Sequence, residues 1–430
     1  MTTAAPANPS DPAPPSRRRV LGLAAAVTPR IRLLVGTLLV FNVGFYMVVP
    51  FLAVHLTGDL GVAAGVVGTV LGLRMLSQQG LFLAGGILAD ALGVRATVLA
   101  GIALRVASFL LLGTATELPW VIAGVVALGV AGALFTPAID ALVAEEAEAT
   151  AEQTGVSRTE VFALHSLASQ AGSLVGPAIG ALLVLGGFTT SCLVAAAVFA
   201  VVYFVHWRAL PRRTAAVGRE RPDWGHVLGN RRFLLFAVAF AGYLALYNQL
   251  YLAVPLQLLR DTGSGAGAGW VFSGCAVLVL LAQLRITARA RHLRVDRALG
   301  LGFALMVAGG VAAAALAAPG APWSGWASVV AFAGLVTLGQ MVLLPASRDA
   351  VARLAGERML ATHYGLVSTV GGVGVLLVSV ATGAAFDTGD PVLPWLLLAV
   401  VAAASGLGTA AVLRGGLPDP RPAPVPAVGS

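Results

Sequence analysis

Two arginines in this chain stand where a guanidinium is costly. Arg74 and Arg105 each lie near the middle of an apolar run, and an arginine at the centre of a bilayer costs about 2.5–3.5 kcal/mol on insertion scales. Such a residue faces a cavity, finds a partner or packs against backbone carbonyls. Gln78 follows Arg74 by four residues, so on a helix the two share one polar stripe. No Asp or Glu stands near the middle of any apolar run to offset the charge. The chemistry these residues suit is recognition of a neutral or anionic group, in preference to an organic cation. Asn42 and the pair Asn248-Gln249 are neutral polar groups inside apolar runs; substrate contact and interhelical hydrogen bonding fit them equally. Tyr243, Tyr247 and Tyr251 recur every four residues on one face, and Tyr46 adds a further ring. That face is aromatic cavity wall or lipid-facing surface. Histidine is the residue type suited to proton exchange, but His165 and His363 each sit at the end of a run, where a structural role is at least as fitting.

A second constellation is conformational. Gly172, Gly176-Pro177 and Gly180 repeat every four residues inside an apolar run, giving a helix face with no side chains. Another helix can approach that backbone closely, and Pro177 removes a backbone donor and bends the helix. Static packing and a contact that rocks both fit the spacing.

Catalysis is not supported. The chain has no lysine, hence no phosphate-loop lysine and no Schiff base. Cys192 and Cys275 lie alone in separate apolar runs, without metal-ligand spacing. There is no HExxH, no GxSxG and no paired carboxylate inside the runs. The reading is therefore no enzyme, no metal, no cofactor and no nucleotide site.

The elements that must position these residues follow from composition. Of 430 residues, 58% are hydrophobic and 11% charged, against about 25% charged in soluble domains. A spanning helix needs about 20 apolar residues. Twelve runs qualify, at 31–53, 62–89, 94–114, 119–143, 161–186, 188–207, 233–257, 268–288, 298–318, 325–346, 361–385 and 392–413. They divide the chain into a disordered tail over 1–30, a six-helix bundle over 31–207, a polar connection over 208–232, a second bundle over 233–414 and a tail over 415–430. Val20 to Val27 is too short to span, and no clean small-residue site follows it, which argues against a signal peptide. The net charge of +8 does not indicate nucleic acid, because the arginines flank apolar runs. They concentrate in the N-terminal tail, the 208–232 connection and the 289–297 and 348–358 loops; Arg260 is the exception on the other side. By the positive-inside rule those segments, and both termini, are cytoplasmic. The acidic 144–160 stretch, read as a loop, does not overturn this because acids count little in the rule.

The halves echo one another. Pro137-Ala138 near the end of the fourth run matches Pro345-Ala346 in the tenth, and His165 near the start of the fifth matches His363 in the eleventh. Parallel repeats of this kind put a binding site between the halves.

With these residues in place the chain resembles the major facilitator superfamily. The segment Gly86-Ile-Leu-Ala-Asp90-Ala-Leu-Gly93-Val-Arg95 is similar to that family's loop signature between helices 2 and 3, and Gly172 to Gly180 resembles its antiporter motif in helix 5. The stretch Leu71 to Gly80 resembles multidrug efflux proteins of the MdtH type, in the drug:proton antiporter branch. The resemblance implies an all-α membrane protein of two pseudo-symmetric six-helix bundles, a monomer in the plasma membrane. It implies efflux of small amphipathic molecules by rocker-switch alternating access, with the proton gradient as driving force. Helices 1 and 7 would line the cavity, which makes Asn42, Arg74, Gln78, Arg105, Tyr247 and Asn248 the candidate substrate contacts. Gly86 would allow close packing and Gly93 a tight turn. Asp90 would face the start of helix 11 near Thr362 and His363, and Arg95 would pair with Asp140, holding the halves together on the cytoplasmic side. The sequence departs from the family at Ala91, where an arginine is usual, and at Val125 to Gly129, where the arginine of the proton-linked motif is missing. An uptake carrier of the same fold and a non-transporting facilitator-fold protein are the alternatives.

Overall fold

The computed structural model describes residues 26–210, 224–290, 292–318, 326–356 and 359–417. Twelve helices among them are long and apolar enough to span a membrane. They are α1 (Pro29–Asp59), α2 (Ala64–Ala89), α3 (Val94–Thr114), α4 (Leu118–Thr154), α5 (Arg158–Gly186) and α6 (Phe188–Ala209) in the first half. The second half holds α7 (Arg231–Thr262), α8 (Gly267–Ala290), α9 (Val295–Ala317), α10 (Trp326–Leu354), α11 (Leu360–Asp387) and α12 (Leu393–Leu413). An even number of crossings brings the start of α1 and the end of α12 to the same end of the molecule, here called the terminal end; the other is the distal end.

Local chemistry sets the boundaries. The Thr28 hydroxyl accepts from the Ile31 amide at the start of α1, and the Asn230 side chain accepts from the Phe233 amide at the start of α7. Ser157 and Glu160 form a reciprocal capping box on α5. Left-handed glycines make the sharp reversals after α4 and α7, at Gly155 (φ 71°) and Gly263 (φ 69°).

The duplication is visible in the packing. α1 packs on α5 as α7 packs on α11. The pairs α2–α4, α3–α4 and α3–α6 recur as α8–α10, α9–α10 and α9–α12. Between the halves α2 crosses α11 and α5 crosses α8, two contacts that exchange under the same pseudo-symmetry. Even the irregularities repeat. α1 tightens to a 3-10 turn at Val49–Phe51 and α7 at Gln249–Tyr251. Pro50 and Pro255, which carry no backbone donor, stand within the first of these turns and just after the second.

Two expectations are corrected here. The acidic 144–160 stretch is not a loop: α4 continues to Thr154, because Ala and Glu favour helix and no breaker occurs before Gly155. Its inner face packs on the start of α1, where Arg30 pairs with the buried Glu146 at 3.1 Å and Thr28 meets Thr150 at 3.0 Å. The polar connection over 208–232 includes a short helix, Trp224–Gly229. The tails expected over 1–30 and 415–430 lie mostly outside the described residues.

Candidate substrate cavity

Beside the mid-span arginines lies a cavity of about 320 Å³ in the first bundle, walled by α1, α2, α3, α4 and α5. Arg105 of α3 sits in its wall and is 2% exposed. Three rings hold the guanidinium: Phe41 at 4.1 Å, Phe199 at 5.4 Å and Phe45 at 5.5 Å from centroid to Cζ. Such cation–π contacts offset part of the cost of burial. The guanidinium makes no ion pair among the described residues, and its Nε and Nη1 are buried without a hydrogen-bond partner.

Arg74 behaves differently. It is equally buried but donates from Nη1 to Gln78 Oε1 at 3.3 Å, and lies 5.7 Å from the Phe45 ring and 5.8 Å from Tyr251 of α7. Gln78 and Arg105 line the cavity; Arg74 does not, and reaches it only through the Gln78 amide. Of the two mid-run arginines, Arg74 is therefore the one held behind the wall.

Asn42 lines the same cavity while its amide donates to Leu38 O one turn back at 2.9 Å. Asn248 makes the equivalent bond to Leu244 O at 2.9 Å and is buried outside both cavities described here. Neither makes an interhelical hydrogen bond. The neighbouring Gln249 does, reaching Ser379 Oγ of α11 at 3.4 Å. Tyr247 lines a smaller cavity of about 80 Å³ between the bundles, with Gln170, Ser173, Thr337 and Gln340. Tyr46 and Ser169 border both cavities, so the two abut there. Sequence reading passed over Ser169, Gln170, Thr337 and Gln340. Their signal was present as polar residues within the fifth and tenth runs.

Asp140 requires a correction. It does not pair with Arg95. It lines the Arg105 cavity near the terminal end, together with His165. Arg95 instead donates to Leu210 O at 2.8 Å and to Trp207 O, satisfying carbonyls left free where α6 ends. Gly93 does make the tight turn, with φ 87°. Gly86 does not provide close packing, since a Cβ there would meet nothing within 4 Å. The close approach belongs to Gly85, whose missing side chain leaves room for the Ala133 carbonyl of α4. The expected Asp90 contact lies outside the described side chains. At the start of α11, Thr362 and His363 are buried, and His363 Nδ1 is 3.0 Å from Met359 O.

A carboxylate does stand against a helix N-terminus, but at the distal end. Asp387, closing α11, accepts from the Ala64 and Gly65 amides at the start of α2, both at 2.8 Å. It joins the bundles there by supplying two of the orphan donors of α2 with an anion. Nearby, Gly269 of α8 lies against the Pro177 carbonyl of α5, and Gly265 against Val54. Ser273 Oγ donates to Leu174 O at 2.9 Å.

The sequence profile described as Major Facilitator Superfamily matches residues 34–258, just over half of the chain. The chain belongs to the major facilitator superfamily. An uncharacterized MFS-type transporter of Mycobacterium tuberculosis is 37% identical over 85% of this chain and 89% of its own length. The multidrug resistance protein MdtH of Aeromonas hydrophila is 31% identical, covering 83% of this chain and 89% of itself. Among solved structures, the POT family transporter PepTSo superposes with TM-score 0.74 at 14% identity, over 90% of this chain and 98% of that one. The nucleoside transporter NupG gives 0.72 at 13% identity, over 89% and 99%. At such identities the structures speak to the fold alone. This facilitator is a transporter, not an enzyme.

Proposed function

We propose that this facilitator exports small amphipathic molecules from the cytoplasm across the plasma membrane, in exchange for protons. The two bundles alternate in access about the cavity that Arg105 and Tyr46 border. The observation that carries the reading is the placement of that cavity: cross-bundle contacts at Asp387, Gly269 and Gly265 stand at the distal end, and the cavity wall extends to Asp140 and His165 towards the terminal end, where Leu83 of α2 meets Gly365 of α11. The arginine distribution supports a cytoplasmic terminal end, so the cavity extends towards the compartment from which cargo would be collected. Similarity to proteins named for multidrug resistance supports export as the direction. The chain acts as a monomer without a nucleotide site, Gly172, Gly176, Pro177 and Gly180 fix helix geometry during the cycle, and Gly93 and Arg95 set the α2–α3 turn.

Two experiments test this. Reporter fusions at residue 220 and after residue 417 should both report cytoplasm; an external signal at either reverses the orientation. In an efflux-deficient host, expression should lower steady-state accumulation of at least one dye among fluorescein, tetramethylrosamine and Nile red, and an uncoupler should restore it. Accumulation that rises on expression would establish uptake instead.

A further inference from the structure

The cavity wall holds a cation that makes no ion pair among the described residues, with a second donor beside it. Arg105 has Nε and Nη1 buried and unpartnered, and its plane is fixed by stacking over Phe41 at 4.1 Å. A guanidinium carries five donors in a rigid fork and no acceptor. Gln78 adds another donor: its Oε1 is occupied by Arg74, which leaves the Nε2 amide hydrogens to be used. Both groups close on the same stretch of the α4 backbone. An imaginary Cβ on Gly132 would stand 3.2 Å from Gln78 Nε2 and 3.3 Å from Arg105 Nη2. The missing side chain of Gly132 thus lets both donors close on the α4 backbone and meet in the cavity wall, with a second buried arginine behind them. The anionic group lining the cavity is Asp140, exposed nearer the terminal end, with His165 beside it. Phe41, Phe45 and Phe135 supply aromatic surface on the remaining wall.

We propose that Arg105 and Gln78, meeting over Gly132, form an anion-recognition site, and that the cargo of this cavity is an aromatic or apolar body carrying a carboxylate, sulfonate or phosphate group. The inference rests on the reading of this cavity as the substrate site and adds the chemical class to it. A charge-assisted bond from a preorganised fork is the strong kind of hydrogen bond, and two donors fix the orientation of an acid group. An organic cation entering the same space meets Arg105 and, one residue further, Arg74, with only Asp140 opposing them. A buried arginine left with unused donors is a poor stability device, since an unpaired buried charge is destabilising. An incoming anion offsets its charge.

The test uses the full-length protein in nanodiscs, with no gradient, and two dyes on one xanthene scaffold: anionic fluorescein and cationic tetramethylrosamine. Fluorescence polarisation should show wild type binding fluorescein at least about tenfold more tightly than the rosamine. Arg105→Gln should weaken fluorescein about tenfold or more while leaving rosamine unchanged or tighter, and Arg105→Lys should recover part of the loss. Gly132→Val, which keeps the charge but pushes both donors off the α4 backbone, should weaken fluorescein alone. Rosamine binding as tightly as fluorescein in wild type, neither dye binding, or fluorescein affinity within about twofold of wild type in Arg105→Gln would each overturn the proposal. Wild-type preference and Gly132→Val decide the matter if Arg105→Gln does not fold. Because no gradient is present, failure to export in cells with this preference intact counts against the export reading only.

Discussion

Two glycine-lined crossings in this molecule are built from the same material and join different things. On α5, Gly172, Gly176 and Gly180 lie against α1: a Cβ at Gly172 would stand 2.6 Å from Asn42 Cβ, one at Gly176 2.8 Å from Tyr46 Cβ, and one at Gly180 would strike Met47 and Phe51. That crossing is inside the first bundle. On α2, Gly68 and Gly72 lie against Ser379 and Leu376 of α11, and Gly383 of α11 lies against Ala64. That crossing is between the bundles. The antiporter-like motif therefore ties α5 to α1 and carries Asn42 and Tyr46 with it as one body. The surfaces available for rocking are α2 on α11, whose glycine spacing carries no named motif, and the other face of α5 on α8, where the Pro177 carbonyl meets Gly269. Small-residue spacing tells how closely two helices approach, and not whether the contact is fixed or moving.

The largest effects should come from filling either crossing, and the readouts should separate them. Gly176→Leu drives a side chain into Tyr46 and Val43 within one bundle; transport should fall below detection and the thermal midpoint should drop, in keeping with about 1–3 kcal/mol for overpacking. Gly68→Leu drives one into the Ser379 carbonyl across the bundle interface. Transport should again be lost, but the distal end should be forced open, read as increased thiol labelling of a cysteine placed at Ala384. If Gly176→Leu opens the distal end and Gly68→Leu does not, the assignment of fixed and moving crossings is reversed.

A smaller effect should come from the carboxylate at the moving crossing. A negative charge at a helix N-terminus is worth about 0.3–1 kcal/mol at a surface and up to about 2 kcal/mol when partly buried. Asp387→Asn keeps the hydrogen-bond acceptor and removes the charge, so the distal-closed population should fall by a factor of about two to five. Distal thiol labelling should rise accordingly, with dye affinity in the terminal-facing cavity falling by no more than the same factor. Unchanged labelling would show that the glycine packing alone holds that end. By the same logic Arg95→Ala, which frees the Trp207 and Leu210 carbonyls inside the first bundle, should lower thermal stability by about 1–3 kcal/mol and leave the bundle equilibrium in place. A tenfold loss of dye affinity in Arg95→Ala would mean that its role extends to the cavity.

Much of this was legible before any coordinates. The twelve runs, the two halves and the close-packed face of Gly172 to Gly180 depend on periodicity and composition, which local sequence carries. What was not legible depends on rotation about a helix axis and on which helix crosses which. Arg74 and Arg105 are equivalent as mid-run arginines; that Arg105 enters the cavity and Arg74 stops behind Gln78 is a matter of helix phase. Asp140 reads as the acid at the end of the fourth run in reach of Arg95, and only the crossing of α3 with α6 shows that Trp207 and Leu210 occupy that arginine. Asp387 reads as a loop acid because nothing in the eleventh run announces the start of α2 beside it. The family resemblance placed a latch at the terminal end, at Asp90; the carboxylate contact seen here is at the distal end, 323 residues away in sequence from the amide it caps.

The smallest effect concerns two adjacent glycines that a motif reading ranks in the wrong order. Gly86 belongs to the loop signature, and Gly85 does not. In the structure Gly85 faces α4, where an added methyl would overlap the Ala133 carbonyl, whereas Gly86 faces open space. Both lie in the continuation of α2 from Phe82 to Leu92, where alanine is favoured over glycine by about 0.8–1 kcal/mol for helix propensity. For Gly86→Ala nothing opposes that gain, so stability should hold or rise slightly, with transport near wild type. For Gly85→Ala the backbone overlap opposes it and forces α2 away from α4, so the thermal midpoint should drop and transport should decline. Comparing the two variants removes propensity from the measurement, since it is shared. A loss of transport in Gly86→Ala with the midpoint unchanged would place that face in contact with something during the cycle. The moving surface would then extend beyond α11 onto this end of α2.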